Sequence, residues 1–334
     1  MQDKLIFVIG PPRSGSTMLQ RMLGSHTAIF SHPEPHIITP LAHLGYYAKV
    51  DKAPYDHINA AEAIREFVQD LPAGEQDYLD ACRSYCDILY GRMLKKSGKQ
   101  MLLDKTPAYA LVLPFLAKLY PQAKYVVLTR HPLAVLSSYA NSFFDGDYAA
   151  AVEFNDILGR YLPSMAKFLR QKNVPHLQVS YEDLVSQPEE KLAAIFSFLG
   201  LPNQADAVDY GKHEHLDKSY GDPKVKHQTR PTSGSLNKWA EELAADSHKL
   251  DIAESIVEQL SQRDLAAWGY DKSTLFEPVA NAVGIPPKSD WKWMFDSYRL
   301  KRKVFLGLRK NIQRNQFGKA VRKLKYYCDV LLRE

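Results

Sequence analysis

Hydrophobic positions recur along this chain in one order: an unbroken apolar run, a break, then an apolar stripe at helical spacing. Lys4 to Ile9 (KLIFVI) is β-branched and nearly continuous, as a strand buried on both faces of a parallel sheet requires. Gly10 to Thr17 interrupts it, and Met18, Leu19, Met22 and Leu23 then fall on one helical face. The order returns at Lys124 to Thr129 (KYVVLT), with Arg130-His131-Pro132 as the break and Leu133, Val135, Leu136 and Tyr139 as the stripe. A third run, Leu177 to Tyr181 (LQVSY), leads into a helix expected from about Pro188, with Gly200 suited to close it. Strands alternating with helices predict an α/β fold, a parallel β-sheet flanked by helices. Asn59 to Lys99 reads as a polar-faced helical insertion between strands, and Lys238 to Trp268 as a further helical stretch.

Composition narrows the class. Of 334 residues, 45% are hydrophobic and 24% charged, which excludes a disordered or collagen-like chain. The longest apolar runs fall far short of the ~20 residues that span a bilayer. The opening Met-Gln-Asp-Lys lacks the pattern of a secretory signal. Three cysteines, Cys82, Cys86 and Cys328, form neither a disulfide framework nor a zinc spacing, so the expected compartment is the cytoplasm. Charge is unevenly placed. Residues 288–334 hold 14 of the 43 Lys and Arg but 4 of the 38 Asp and Glu, leaving 29 against 34 in the body. Pro286-Pro287 marks the expected boundary between an α/β domain, 1–287, and a basic amphipathic helical appendage, 288–334.

The break after the first strand carries chemistry. Gly10-x4-Gly15 followed by Ser16-Thr17 has the outline of a phosphate-binding loop, in which backbone N–H groups and a helix N-terminus face an anion. The fold expectation is therefore P-loop-like. A nucleoside triphosphate loop places Lys where this chain has Ser16, which argues against a kinase using ATP and Mg²⁺. The cation inside this loop is Arg13, whose planar fork grips phosphate through two hydrogen bonds.

Pro12-Arg13-Ser14-Gly15-Ser16-Thr17 resembles the 5′-phosphosulfate loop of sulfotransferases that use 3′-phosphoadenosine 5′-phosphosulfate (PAPS), in the form seen in bacterial and Golgi tyrosylprotein and heparan-type members. Further matches follow in the family's order, together covering residues 5 to about 240. Arg130 at a strand end with Ser138 on the next helix is similar to the 3′-phosphate motif, and strand ends are where α/β sheets bind ligands. Ser180-Tyr181-Glu182-Asp183-Leu184 resembles the segment whose tyrosine lies against adenine, which makes Tyr181 the adenine candidate, a core tyrosine being the alternative. Ser233 to Trp239 looks like the family's late Ser…Lys-Trp segment, so Lys238, with Arg230, is expected near the phosphates. The resemblance implies PAPS as co-substrate, 3′-phosphoadenosine 5′-phosphate (PAP) as product, and no required metal.

Sulfuryl transfer to a hydroxyl calls for a base on the acceptor and cations on the leaving oxygen. Ser31-His32-Pro33-Glu34-Pro35-His36 offers three titratable groups, and Glu34 lies 21 residues after Arg13, resembling the place of the family's catalytic Glu. The expected base is Glu34, with His36 next and His32 third. Leu103-Asp104-Lys105-Thr106-Pro107 is similar to the family's Lys-x-Pro segment, so Lys105 is expected to clamp the sulfuryl group with Arg13. The acceptor is expected to bear a hydroxyl on a small molecule, a lipid or a carrier-bound group. The basic tail either packs on the core or contacts a membrane surface or acidic partner. No nucleic-acid module is recognisable. The reading from another class is a nucleotide-dependent adaptor without catalysis.

Overall fold

The structure, a computed structural model, describes residues 1–47, 57–216, 225, 228–282, 320, 323 and 324. The expected boundary at Pro286-Pro287 and nearly all of the basic appendage lie outside the described residues. Five strands form one sheet: β1 (Leu5–Ile9), β2 (Ile29–Pro33), β3 (Met101–Lys105), β4 (Lys124–Thr129) and β5 (His176–Ser180). Their order is β2-β3-β1-β4-β5, and every pairing is parallel. The P-loop-like parallel sheet expected from the sequence is therefore present.

Helices cover both faces. They are α1 (Ser16–Gly24), α2 (Ile38–Ala42), α3 (His57–Gln69), α4 (Glu75–Ser97), α5 (Leu113–Leu119), α6 (Pro132–Phe143), α7 (Tyr148–Phe154), α8 (Ile157–Gln171), α9 (Tyr181–Ser186), α10 (Pro188–Leu199), α11 (Lys238–Ala244), α12 (Ser247–Gln259), α13 (Gln262–Trp268) and α14 (Glu277–Ala282). Alternation along β1 divides its side chains between two cores. Leu5, Phe7 and Ile9 join the larger one with α4, α5, α6 and α8; Ile6 and Val8 join the smaller with α1 and α10. All five are fully buried, which accounts for the unbroken apolar run. Gly200 closes α10 in the left-handed conformation (φ 77°).

The structure corrects two expectations and adds detail to two others. Strands β2 and β3, not foreseen as strands, flank β1 on one side. Tyr181 opens α9 instead of ending β5. Lys238 to Trp268 is three helices. The insertion between β2 and β3 is helical as expected; α4 buries Leu79, Cys82, Cys86, Tyr90 and Leu94, and its outer side carries Asp80, Ser84, Arg92, Lys95 and Lys96 together with exposed Tyr85, Ile88, Leu89 and Met93. Among the described residues no helix is long and apolar enough to cross a membrane.

Candidate active site

Strand β1 lies between β3 and β4, so the loops leaving their carboxyl ends emerge side by side where the strand order reverses. Arg13 and Arg130 lie in the loops after β1 and β4, and Lys105 is the last residue of β3. Beside β3 runs β2, with Pro33 directly opposite Lys105, which brings the next residue, Glu34, to the lysine. Register thus assembles at one sheet edge groups that are far apart in sequence.

The β1–α1 loop is shaped by close approaches. Gly15 caps α1 at φ 94°, and a Cβ there would lie 2.4 Å from the Tyr181 ring. A side chain is excluded by both sterics and conformation. Arg13 adopts φ 71°, and its Nε donates to Ser138 Oγ at 3.2 Å. Arg130 reaches under the loop, Nη1 donating to the Arg13 carbonyl at 2.9 Å, and its guanidinium lies 4.2 Å over the Tyr181 ring. Burial pulls the Arg130 pKa below its ordinary value. Two buried polar atoms here, Ser14 Oγ and Arg130 Nε, have no hydrogen-bond partner among the described residues. Buried polar atoms are nearly always paired, so these two mark a place suited to an anionic ligand. The N-terminus of α1, which begins at Ser16, faces the same loop and adds backbone donors and a partial positive charge.

The second half of the site is an ion pair. Lys105 is fully buried, and its Nζ lies 2.5 Å from Glu34 Oε1 and 3.4 Å from Thr17 Oγ1. The last contact joins the pair to the phosphate loop. His36 Nε2 stands 3.7 Å from Glu34 Oε2, on a side chain 42% exposed. His32 is turned to its own neighbour, Nδ1 lying 2.9 Å from the Pro33 carbonyl. Gln20 steadies the end of β2 by donating to Ser31 Oγ and the His32 carbonyl, both at 3.0 Å.

Behind Arg130, Trp268 Nε1 donates to its carbonyl at 2.8 Å, and Glu182 accepts from the His131 backbone N–H at 3.0 Å and from Tyr270 at 2.7 Å. Arg13, Ser14, Gly15, Ser16, Thr17, Arg130, Ser138, Tyr181, Glu34, His36 and Lys105 therefore form one connected constellation. Lys238 lies at the start of α11 with its side chain exposed. Arg230 pairs instead with Glu189 at 2.6 Å and Asp209 at 3.7 Å. Sequence reasoning missed Trp268, Tyr270 and Glu182, which brace the strand end from behind. It also missed Asp104, whose one signal was an acid directly before the lysine.

A parallel sheet in this order, with an arginine-bearing phosphate loop after its first strand and a Lys–Glu pair beside it, defines a P-loop-like group-transfer fold. Residues 6–206 match the profile described as the sulfotransferase family, and the chain belongs to that family. Among curated proteins, Nodulation protein NoeE of Sinorhizobium fredii is 28% identical over 296 residues, covering 80% of this chain and 66% of NoeE, so the chain spans just under two thirds of that relative. Protein-tyrosine sulfotransferase 1 of Danio rerio is 25% identical, with coverage of 80% and 72%. Among solved structures, the sulfotransferase domain of the Synechococcus PCC 7002 olefin synthase is 24% identical with a TM-score of 0.49, covering 77% of this chain and 95% of that domain.

Proposed function

We propose that this protein transfers a sulfuryl group from PAPS to a hydroxyl-bearing acceptor. The observation that carries the reading is the loop in which Arg13, Arg130 and Ser138 converge while buried Ser14 Oγ and Arg130 Nε keep unmatched hydrogen-bonding capacity. PAPS, when bound, supplies an activated sulfuryl group whose leaving group is PAP. Arg13 to Thr17 hold the 5′-phosphosulfate, with the α1 N-terminus adding favourable field. Arg130 and Ser138 hold the 3′-phosphate, and Tyr181, packed against Gly15 and Arg130, is assigned to the adenine side.

Glu34 is the base that takes the acceptor's hydroxyl proton, and His36 is its runner-up, 3.7 Å away. Lys105 stabilises charge developing on the oxygen that leaves, because a buried ammonium acts in a medium that screens it poorly. The acceptor class extends to small-molecule, lipid and carrier-bound hydroxyls.

The test uses Arg130→Ala with two nucleotides. Hydrogen bonds to charged groups contribute about 1.5–3 kcal/mol. PAP affinity should therefore fall at least tenfold by calorimetry, while adenosine 5′-phosphosulfate, which lacks the 3′-phosphate, should lose under threefold. Equal losses for both ligands would make Arg130 a support for the loop and not a phosphate ligand.

A further inference from the structure

The buried carboxylate of Asp104 takes no part in the chemistry above, yet it precedes Lys105 directly and points to the opposite face of β3. We propose that Asp104 is a positioning residue for sulfuryl transfer, setting the Glu34 loop against Lys105 through the hydroxyl of Tyr109. The inference rests on the sulfotransferase reading.

Asp104 is fully buried, pairs in register with Phe7, and sits on the sheet face that holds the larger core. A carboxylate in such surroundings is tolerated only when its lone pairs are filled. Three hydroxyls fill them: Tyr90 at 2.6 Å and Tyr109 at 3.0 Å on Oδ2, and Thr106 at 3.0 Å on Oδ1. Burial holds the carboxyl pKa above its ordinary value, and these three donors oppose that shift without cancelling it.

All three hydroxyls donate to Asp104, so their protons are directed at its oxygens. The Tyr109 proton points to Asp104, which leaves the Tyr109 oxygen to accept the Ile38 backbone N–H at 3.2 Å. Ile38 opens α2 just after Glu34 (φ 31°) and His36 (φ 53°), both in the left-handed region. The relay from Ile38 through Tyr109 to Asp104 fastens the far end of this strained loop to the strand whose next residue is Lys105. Thr106, on the other side of Lys105, is held by the same carboxylate. One buried carboxyl group thus fixes both members of the Lys105–Glu34 pair, and small misplacements of reacting groups are expensive in rate.

Asp104→Asn and Tyr109→Phe test this in the full chain. The readouts are PAP affinity by calorimetry, thermal midpoint, amide exchange of Glu34, His36, Ile37 and Ile38, and conversion of PAPS to PAP and inorganic sulfate with water as the probe acceptor. Each variant should keep PAP affinity within threefold and stay folded, yet exchange these amides at least tenfold faster and turn over at least tenfold slower. The double variant should fall no further than the worse single one, because both act through one relay. Wild-type exchange and turnover in both variants would overturn the proposal. So would turnover that falls only in step with PAP affinity and thermal midpoint, which would make the network merely structural. Failure of the wild-type protein to bind PAP would instead overturn the sulfotransferase reading, on which the proposal stands.

Discussion

Arg13 (φ 71°), Glu34 (φ 31°) and His36 (φ 53°) hold backbone conformations that side chains other than glycine rarely adopt. Each such residue costs about 1–3 kcal/mol and persists only where the surroundings over-determine it. Here the surroundings are Ser138 and Arg130 for Arg13, and the Lys105 ion pair for Glu34. Strain placed at the residues proposed for sulfate binding and proton removal fits a preorganised site. Glu34→Gln keeps the shape and removes the base; turnover should drop by about 10²–10⁴ while PAP affinity stays within threefold. Rates of PAPS consumption beside calorimetry check this, and unchanged turnover would pass the base role to His36. At this scale the sequence was informative where residue type and position both mattered. Arg13, with Ser16 in place of the nucleotide-loop lysine, pointed to the anion, and Pro-Glu-Pro pointed to a stiff loop. Asp104 was obscured because Asp-Lys-Thr-Pro is equally good turn chemistry, and its partners Tyr90 and Tyr109 are brought to it only by folding.

Strands β1 and β4 were legible as elements because burial on both faces demands a continuous apolar run. Strand β3 was not, since it ends in Asp104 and Lys105, two buried charges whose compensation comes from other segments. The edge strand β2 ends in Pro33, which a central strand would not admit and an edge tolerates. Between elements, His131 joins the start of α6 to α11: its ring stacks on Trp239 with centroids 4.1 Å apart. Burial pushes its pKa down to about 4, from an ordinary 6.5. The unfolded chain therefore takes up a proton between those values that the folded one refuses. The stabilising effect is complete above pH 6.5 and is lost as the pH falls toward 4, amounting to about 3 kcal/mol. Chemical denaturation across that window should show the slope in the wild type and a shallower one in His131→Asn. Parallel slopes would place the titration elsewhere.

At the scale of the whole molecule, sheet order determines the site, because β1 borders both β3 and β4 and so gathers three loops at one edge. Alternating strands and helices conveyed this fold class from the sequence, but the register that sets Pro33 opposite Lys105 comes from long-range pairing no local pattern encodes. The division into a body, 1–287, and a basic appendage, 288–334, is a proposal from charge and Pro286-Pro287. Truncation after Pro287 should leave PAP affinity within threefold, measured by calorimetry, if the appendage serves acceptors, partners or membranes. A truncated chain that fails to fold would make the appendage part of the core. The central claim, a site for a phosphosulfate donor in place of a triphosphate, is tested most directly by titrating the purified chain with PAP and, separately, with ATP and Mg²⁺. The account predicts tight PAP binding that persists in a chelator, with ATP at least a hundredfold weaker. Preference for ATP with Mg²⁺ would contradict it.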